Sequence, residues 1–126
     1  MNLVLDSGAL IAVDRNDRTM WRRLKSALRA GMVPVTHGGV VGQVWRGAGS
    51  SQALLARALA NVDVRPLDEA LGRASGALLA ATHHRDVIDA ALVLLAHDGD
   101  RIFTSDQTDI AALAAATGRH VEILRV

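Results

Sequence analysis

The sequence contains no cysteine. This absence excludes a disulfide-stapled scaffold, a zinc or iron–sulfur site built on thiolates, and a cysteine nucleophile. Any chemistry that the chain performs therefore uses other side chains.

Aromatic residues are almost absent as well. The chain has one Phe, two Trp and no Tyr, whereas half of its 126 residues are hydrophobic. We therefore expect a core of Ala, Val, Leu and Ile, and nucleic-acid binding that does not depend on base stacking. A chain of this length forms one domain, so residues 1–126 are assigned to a single domain.

Lysine and glutamate are also scarce. Lys25 is the only Lys among 14 basic residues, and all of the 13 acids except Glu69 and Glu122 are Asp. The first 63 residues carry a net charge of +4 and the last 63 a net charge of −3. The basic excess is concentrated between Arg15 and Arg29. This segment predicts either a surface for a polyanion or an ordinary solvated helix face.

Long hydrophobic runs are missing too. No apolar run approaches the roughly 18 residues that a membrane span needs, and even the stretch from Ala70 to Ala81 contains Arg73. The first residues, Met1 to Asp6, lack the basic leader and long apolar region of a signal peptide. We therefore expect a soluble, cytoplasmic protein without a membrane partner.

Short β-rich runs alternate with longer Ala-, Leu- and Arg-rich segments. Because parallel strands need crossovers that are usually helical, this order predicts an α/β fold in three layers. The expected fold is a central parallel sheet of about five strands, flanked by about seven helices. The predicted strands are Leu3–Leu5, Val33–Val35, Val62–Val64, Arg101–Thr104 and Val121–Leu124.

Residues that favour helix termini mark the predicted helices. The segment from Asp17 to Arg29 alternates apolar and basic residues, which predicts a surface helix with an Arg-rich face. The other predicted starts are Ser7, Ser50 or Ser51, Asp68, Asp86 and Asp106, and the predicted stops are Gly31 and Gly118.

Two acids lie just after predicted strands. Asp6 comes after Leu3–Leu5, and Asp106 comes shortly after Arg101–Thr104. Ligands of open parallel sheets bind outside the carboxyl ends of the strands, near a topological switch point. We therefore expect these two carboxylates to emerge at the same edge of the sheet.

Two pairs of acids with a spacing of three occur at predicted helix starts: Asp86 with Asp89, and Asp106 with Asp109. If these starts share the edge with Asp6, several carboxylates face one cleft and require a cation. Oxygen ligands suit Mg²⁺ or Mn²⁺, which can support phosphoryl transfer. The alternative is that Asp6, Asp86 and Asp106 are simple helix caps, with Asp109 favoured by the helix dipole.

The order of these motifs resembles the PIN domain, in particular the VapC-type toxins of toxin–antitoxin pairs. The resemblance covers essentially the whole chain. It depends on four segments: Leu5 to Ile11, Val44 to Gly47, Asp86 to Ala90, and Thr104 to Asp106 with Asp109.

The resemblance implies an Mg²⁺- or Mn²⁺-dependent endoribonuclease that cuts structured RNA such as tRNA or rRNA. It also implies inhibition by a VapB-type antitoxin, which lays a helix in an apolar groove, and a homodimer. By position, Asp6, Asp89 and Asp106 match the catalytic and metal-binding acids of the family. The accessory positions are Asp86, Asp109, Ser7 and Thr104.

One position departs from the family pattern. The family has a Glu two residues before the Trp-Arg-Gly segment, where this chain has Gln43. Glutamine keeps the shape and an acceptor oxygen but loses the charge, so it should weaken metal binding and cannot act as a carboxylate base. An alternative function is therefore a silent module with this fold, which binds antitoxin or RNA without turnover.

Candidate RNA contacts are the basic residues Arg15, Arg18, Arg22 and Arg46, which would hold the phosphate backbone in a salt-sensitive manner. His37 is a weaker candidate for a phosphate contact, and Trp45 is expected to pack in the core. A phospho-receiver domain is disfavoured, because Asp6 is followed by Ser7 and the only Lys is Lys25.

Overall fold

The centre of the structure is a sheet of five parallel strands. The structure is a computed structural model that describes residues 1–47 and 52–126. The strands are β1 (Leu3–Leu5), β2 (Val35–His37), β3 (Asp63–Arg65), β4 (Arg101–Thr104) and β5 (Glu122–Arg125). They lie in the order β3-β2-β1-β4-β5, and every neighbouring pair is parallel. The predicted α/β fold is thus confirmed.

The described residues also form seven helices. They are α1 (Ser7–Asp14), α2 (Arg18–Arg29), α3 (Gly38–Val44), α4 (Ala53–Leu59), α5 (Glu69–Thr82), α6 (Val87–Leu94) and α7 (Gln107–Thr117). The chain moves outward from β1 to β3, then returns to β4 beside β1 and continues to β5. Because parallel crossovers are right-handed, helices α1–α4 and helices α5–α7 cover opposite faces. None of these helices is both long and apolar enough to cross a membrane.

Strands β2, β3 and β5 begin and end one or two residues later than the sequence predicts. Before β2, Pro34 lacks an N–H for the ladder, although its carbonyl accepts a bond from the Asp63 N–H at 2.8 Å. The polar residues Thr36 and His37 are instead part of β2 and are fully buried. The boundaries shift because the ladder depends on backbone groups, whereas the prediction followed apolar side chains.

Aspartate side chains cap five of the seven described helices: Asp6 for α1, Asp17 for α2, Asp68 for α5, Asp86 for α6 and Asp106 for α7. Each carboxylate accepts a hydrogen bond from a backbone N–H of the first turn, which satisfies a donor that has no partner within the helix.

The predicted start of α1 at Ser7 is confirmed. Asp6 is still extended, with φ −82° and ψ 173°, and is therefore the cap, while Ser7 is the first helical residue. The predicted helix start at Ser50 or Ser51 lies outside the described residues.

The core is aliphatic, as predicted, and includes the fully buried side chains of Leu5, Leu10, Leu92, Ile102 and Leu113. Phe103 is buried on β4, with the Arg23 guanidinium 4.9 Å from the ring centroid. Trp45 does not pack in the core as expected. It is 40% exposed because it ends α3, where the backbone turns extended and leaves the helix.

Candidate metal site at the switch point of the sheet

The strand order creates a topological switch point between β1 and β4. From β1 the chain passes to β2 and β3 on one side, and it later forms β4 and β5 on the other. Open parallel sheets bind ligands beside the carboxyl ends of the strands at such a point. Asp6 directly follows β1 and Asp106 lies two residues after β4. Both acids therefore lie at the edge where the sequence predicted them.

Thr104, the last residue of β4, joins these two acids. Its hydroxyl donates a hydrogen bond to Oδ2 of Asp6 at 2.6 Å and accepts one from the backbone N–H of Asp106 at 2.9 Å. The other oxygen of Asp6 accepts from the backbone N–H of Ser7 at 2.7 Å. Asp6 is only 3% exposed. The two accessory positions Ser7 and Thr104 thus fix both oxygens of a nearly buried carboxylate.

Gly8 allows α1 to approach β4 closely at this edge. A Cβ atom on Gly8 would lie 2.6 Å from Oγ of Ser105 and 3.0 Å from the Ser105 backbone nitrogen. The first distance is shorter than real Cβ atoms show and the second is tighter than most, so a residue larger than glycine would require Ser105 to move. The close approach places the start of α1, with Asp6, against the turn that leads to Asp106.

Helix α6 brings Asp86 and Asp89 to the same region. Oδ1 of Asp86 accepts hydrogen bonds from the backbone N–H groups of Ile88 at 2.9 Å and Asp89 at 3.1 Å. The side chain of His37, at the end of β2, connects this turn to the sheet because its Nε2 atom lies 2.9 Å from the Ile88 carbonyl oxygen. His37 is fully buried, so the expectation that it contacts a phosphate is wrong.

The pKa of Asp89 shows how close the carboxylates are. It is raised from 3.8 to about 7, first by burial and then by repulsion from Asp86, Asp6, Asp106 and Asp109. When carboxylates lie close together, their repulsion favours the protonated form of one of them. The structure therefore brings five carboxylates together, and Asp89 holds a proton close to neutral pH.

The structure also agrees with the alternative that these acids are helix caps. Asp6, Asp86 and Asp106 each cap a helix, and Asp109 stands in the first turn of α7, as that alternative expected. An aspartate can cap its helix and also belong to the cluster, because α1, α6 and α7 all start at the same edge of the sheet. A cap alone does not explain why Asp89 is half-buried among four other acids.

The chemistry of this donor set fits Mg²⁺ or Mn²⁺, since all five side chains offer oxygen and each divalent ion relieves the repulsion among them. Within residues 1–47 and 52–126, no three Asp, Glu or His side chains already stand in a geometry that could hold an ion. Binding therefore requires that Asp89 loses its proton and that the carboxylates turn toward the ion.

Gln43 lies in the last turn of α3, with an exposed side chain. The guanidinium of Arg46 folds back on this helix, where it donates to the carbonyl oxygens of Gly42, Gln43 and Trp45 at 2.7 to 3.2 Å. Arg46 thus closes the C-terminal end of α3, and several of its donors are occupied by backbone.

The other candidate RNA contacts lie on two different surfaces. Arg15 borders a hollow of about 470 Å³ whose lining also includes Gly8, Asp17 and Ser105. Arg18 and Arg22 instead line a groove between α2 and α4. Arg15 caps the C-terminal end of α1, whereas Asp6 caps its N-terminal end, so Arg15 stands at the other end of this helix from the candidate metal site.

The α2–α4 groove consists of two adjoining cavities of about 360 and 190 Å³, which share Trp21, Lys25 and Arg57. None of the described residues that line it is acidic. Sequence reasoning missed Arg57 and Trp21 as members of one surface, because they are far apart in the chain; only the amphipathic pattern of α2 pointed to this face. The lining comprises Asn16, Arg18, Trp21, Arg22, Leu24, Lys25, Leu28, Pro34, Leu54, Arg57, Ala58, Asn61 and Val62.

Comparison with known proteins supports the fold. The chain is similar to a crystal structure of VapBC2 from Rickettsia felis bound to a DNA fragment from their promoter, with a TM-score of 0.71 over 98% of both chains and 10% sequence identity. The chain shares that fold. The resemblance to VapC-type PIN proteins, which the motifs predicted, is thus confirmed at the level of the fold. No model of a known protein family matches the sequence, and no curated protein matches it.

Proposed function

We propose that this protein is a VapC-type toxin that hydrolyses RNA phosphodiester bonds with the help of Mg²⁺ or Mn²⁺. The observation that carries the proposal is the gathering of Asp6, Asp86, Asp89, Asp106 and Asp109 at the switch point of the sheet, where Thr104 links Asp6 to Asp106. A cluster of carboxylates of this kind is suited to a divalent cation and a phosphate substrate.

In this proposal Asp6, Asp89 and Asp106 hold the ion, and Asp86 and Asp109 supply further negative charge. An ion held by these residues would supply a Lewis acid, which lowers the pKa of water and offsets negative charge on a phosphate. Thr104 and the Ser7 N–H keep Asp6 in place. Asp89 is about half protonated near neutral pH, because its pKa is about 7 without a cation, and ion binding would displace that proton.

The substrate in this proposal is a structured RNA such as tRNA or rRNA. Arg15 is the proposed contact with the RNA backbone, at the hollow that it shares with Gly8 and Ser105. With a single Phe and two Trp in the chain, binding depends on phosphate contacts and weakens as salt increases.

A VapB-type antitoxin is the proposed partner, and the α2–α4 groove is its proposed docking surface. The apolar side chains of Trp21, Leu24 and Leu28 lie among the cations of Lys25 and Arg57. This combination complements an amphipathic helix with acidic residues on its flanks. We further propose that the protein is a cytoplasmic homodimer, as the resemblance implies.

A second candidate function follows from Gln43, which stands where the family has an acid. In this alternative the chain binds RNA or antitoxin through the same surfaces but does not turn over. Its expected signature is the absence of measurable Mn²⁺ binding at millimolar concentration.

The test is cleavage of labelled structured RNA by the purified protein with Mn²⁺ or with EDTA. We expect cutting with Mn²⁺ only, and we expect Asp6→Asn to abolish it. Glu122→Gln is the matched control, because it makes the same chemical change at the opposite edge of the sheet, where Glu122 pairs with Arg101.

Full metal-dependent cleavage by Asp6→Asn would show that the site is assigned wrongly. If the parent neither cuts RNA nor binds Mn²⁺ in calorimetry, and Gln43→Glu gains both properties, the silent-module alternative is correct. If the parent binds Mn²⁺ tightly and cuts RNA, that alternative is excluded.

A further inference from the structure

His37 is a fully buried side chain that the proposed chemistry does not use. It ends β2 and is the N-cap of α3. Its Nδ1 atom lies 3.1 Å from the backbone nitrogen of Gly39, and its Nε2 atom lies 2.9 Å from the carbonyl oxygen of Ile88. One imidazole therefore connects the sheet, the start of α3 and the first turn of α6.

The two partners determine which nitrogen carries the proton. A backbone N–H such as that of Gly39 can only donate, so Nδ1 accepts and is unprotonated. A carbonyl such as that of Ile88 can only accept, so Nε2 carries the hydrogen and donates. Burial lowers the pKa of His37, which is consistent with a neutral ring. Both ring nitrogens are thus fully used by backbone groups.

The contact between α3 and α6 is close as well as hydrogen-bonded. A Cβ atom on Gly39 would lie 2.5 Å from Cδ1 of Ile88 and 2.9 Å from Cε1 of His37. The first turn of α6 therefore packs directly on the start of α3, and a methyl group between them would require the Ile88 side chain or the His37 ring to move. Asp89 is the next residue after Ile88, so it moves with this turn.

We propose that His37 is a positioning residue, which holds the first turn of α6 against the end of β2 and thereby keeps Asp89 within the carboxylate cluster. Its effect on ion binding rests on the proposed function. Its effect on the position of α6 does not, because the bonds to Gly39 and Ile88 exist without any ion.

Two substitutions separate the two bonds of the ring. In His37→Asn the side-chain oxygen replaces Nδ1, so the cap of α3 is retained and the bond to Ile88 is lost. In His37→Gln the side-chain nitrogen replaces Nε2, so a donor remains for Ile88. Hydrogen exchange of the Ile88, Asp89 and Ala90 amides reports the first turn of α6 directly, and Mn²⁺ titration reports the cluster.

We expect His37→Asn to speed exchange of these amides by about tenfold and to weaken Mn²⁺ binding by about tenfold. His37→Gln should keep the slow exchange of these amides and most of the affinity for Mn²⁺. Leu55→Ala is the control for general loss of stability, because Leu55 is a fully buried residue of α4. It should accelerate exchange throughout the protein without a preference for α6.

A second pair of variants tests the same contact with His37 still in the sequence; the methyl group of Gly39→Ala would meet the His37 ring as well as Ile88. Gly39→Ala should speed exchange at the start of α6, because its methyl group would meet Ile88. Gly42→Ala, in the same helix, should not, since no heavy atom lies within 4 Å of the position of its Cβ.

The proposal is wrong if the amides at the start of α6 exchange at the same rate in His37→Asn as in the parent protein. It is also wrong if His37→Asn and His37→Gln both speed amide exchange in α6 and in α4 to the same extent. It is also wrong if Gly39→Ala leaves α6 unchanged. If the parent protein binds no Mn²⁺ and cuts no RNA, the proposed function fails, but the exchange experiment still decides the role of His37.

Discussion

The hydroxyl of Thr104 donates a hydrogen bond to the carboxylate of Asp6 at 2.6 Å, although the two residues are 98 positions apart in the sequence. The same hydroxyl accepts from the Asp106 N–H. Because that N–H can only donate, the hydroxyl proton is directed to Asp6. One buried oxygen atom therefore sets the relative position of Asp6 and Asp106.

Replacement of Thr104 by Val should lower stability and activity together. Val has nearly the same shape, but it leaves Oδ2 of Asp6 and the N–H of Asp106 without their partner, which costs about 1–3 kcal/mol. Ser keeps the hydroxyl and should behave like the parent. Urea unfolding and RNA cleavage measure the two effects, and equal behaviour of Val and Ser would contradict this role of the hydroxyl.

The stability of the metal-free protein should fall as the pH rises, because of Asp89. Its pKa is 3.8 as a free group and about 7 in the folded protein, so the folded state binds more protons between these values. The stabilisation is complete below about pH 4 and is lost as the pH approaches about 7.

The variant Asp89→Asn should remove this dependence, because an amide does not ionise. We expect it to be more stable than the parent at about pH 8, with a smaller difference at about pH 5. Urea unfolding in EDTA across this range provides the measurement. Parallel pH profiles for the two proteins would show that Asp89 is not the responsible group.

Mn²⁺ should stabilise the protein more at about pH 8 than at about pH 5, since binding must displace the proton of Asp89. At an ion concentration of one hundred times Kd, the expected gain is about 2.7 kcal/mol. Thermal unfolding with and without the ion measures the gain, and Asp6→Asn should reduce it at both pH values. A gain that is larger at low pH would contradict the prediction.

Substitution of Gly8 by Ala should destabilise the protein by about 1–3 kcal/mol, because the new methyl group would overlap Ser105. Gly76→Ala is the matched control in α5, where no heavy atom lies within 4 Å of the position of its Cβ. It should instead stabilise the helix by about 0.5–1 kcal/mol. If both changes are neutral or both stabilise, α1 and β4 are not as close as the structure shows.

The sequence was sufficient for the parts of the fold that depend on local pattern. The bounds of β1 and β4 agree with the prediction, because both are short apolar runs with clear ends. β2 is displaced toward polar residues, since Thr36 and His37 are buried by specific partners: the Thr36 hydroxyl donates to the Leu5 carbonyl at 2.7 Å. Apolar pattern alone contains no information about such partners.

The position of Asp6 and Asp106 was predictable for a topological reason. Both follow strands, and parallel strands end at one edge. The half-burial of Asp89 and the role of His37 were not predictable in this way, because they depend on how α6 packs against α3. A buried histidine that binds two backbone groups has no signature in its own segment of sequence.

The placement of β4 also has a consequence during synthesis. Asp106 and Thr104 lie near the end of the chain, and β4 must insert beside β1 before they can meet Asp6. A nascent chain that has not yet reached β4 contains six of the seven described helices but lacks Thr104, Asp106 and Asp109, so it cannot assemble the carboxylate cluster.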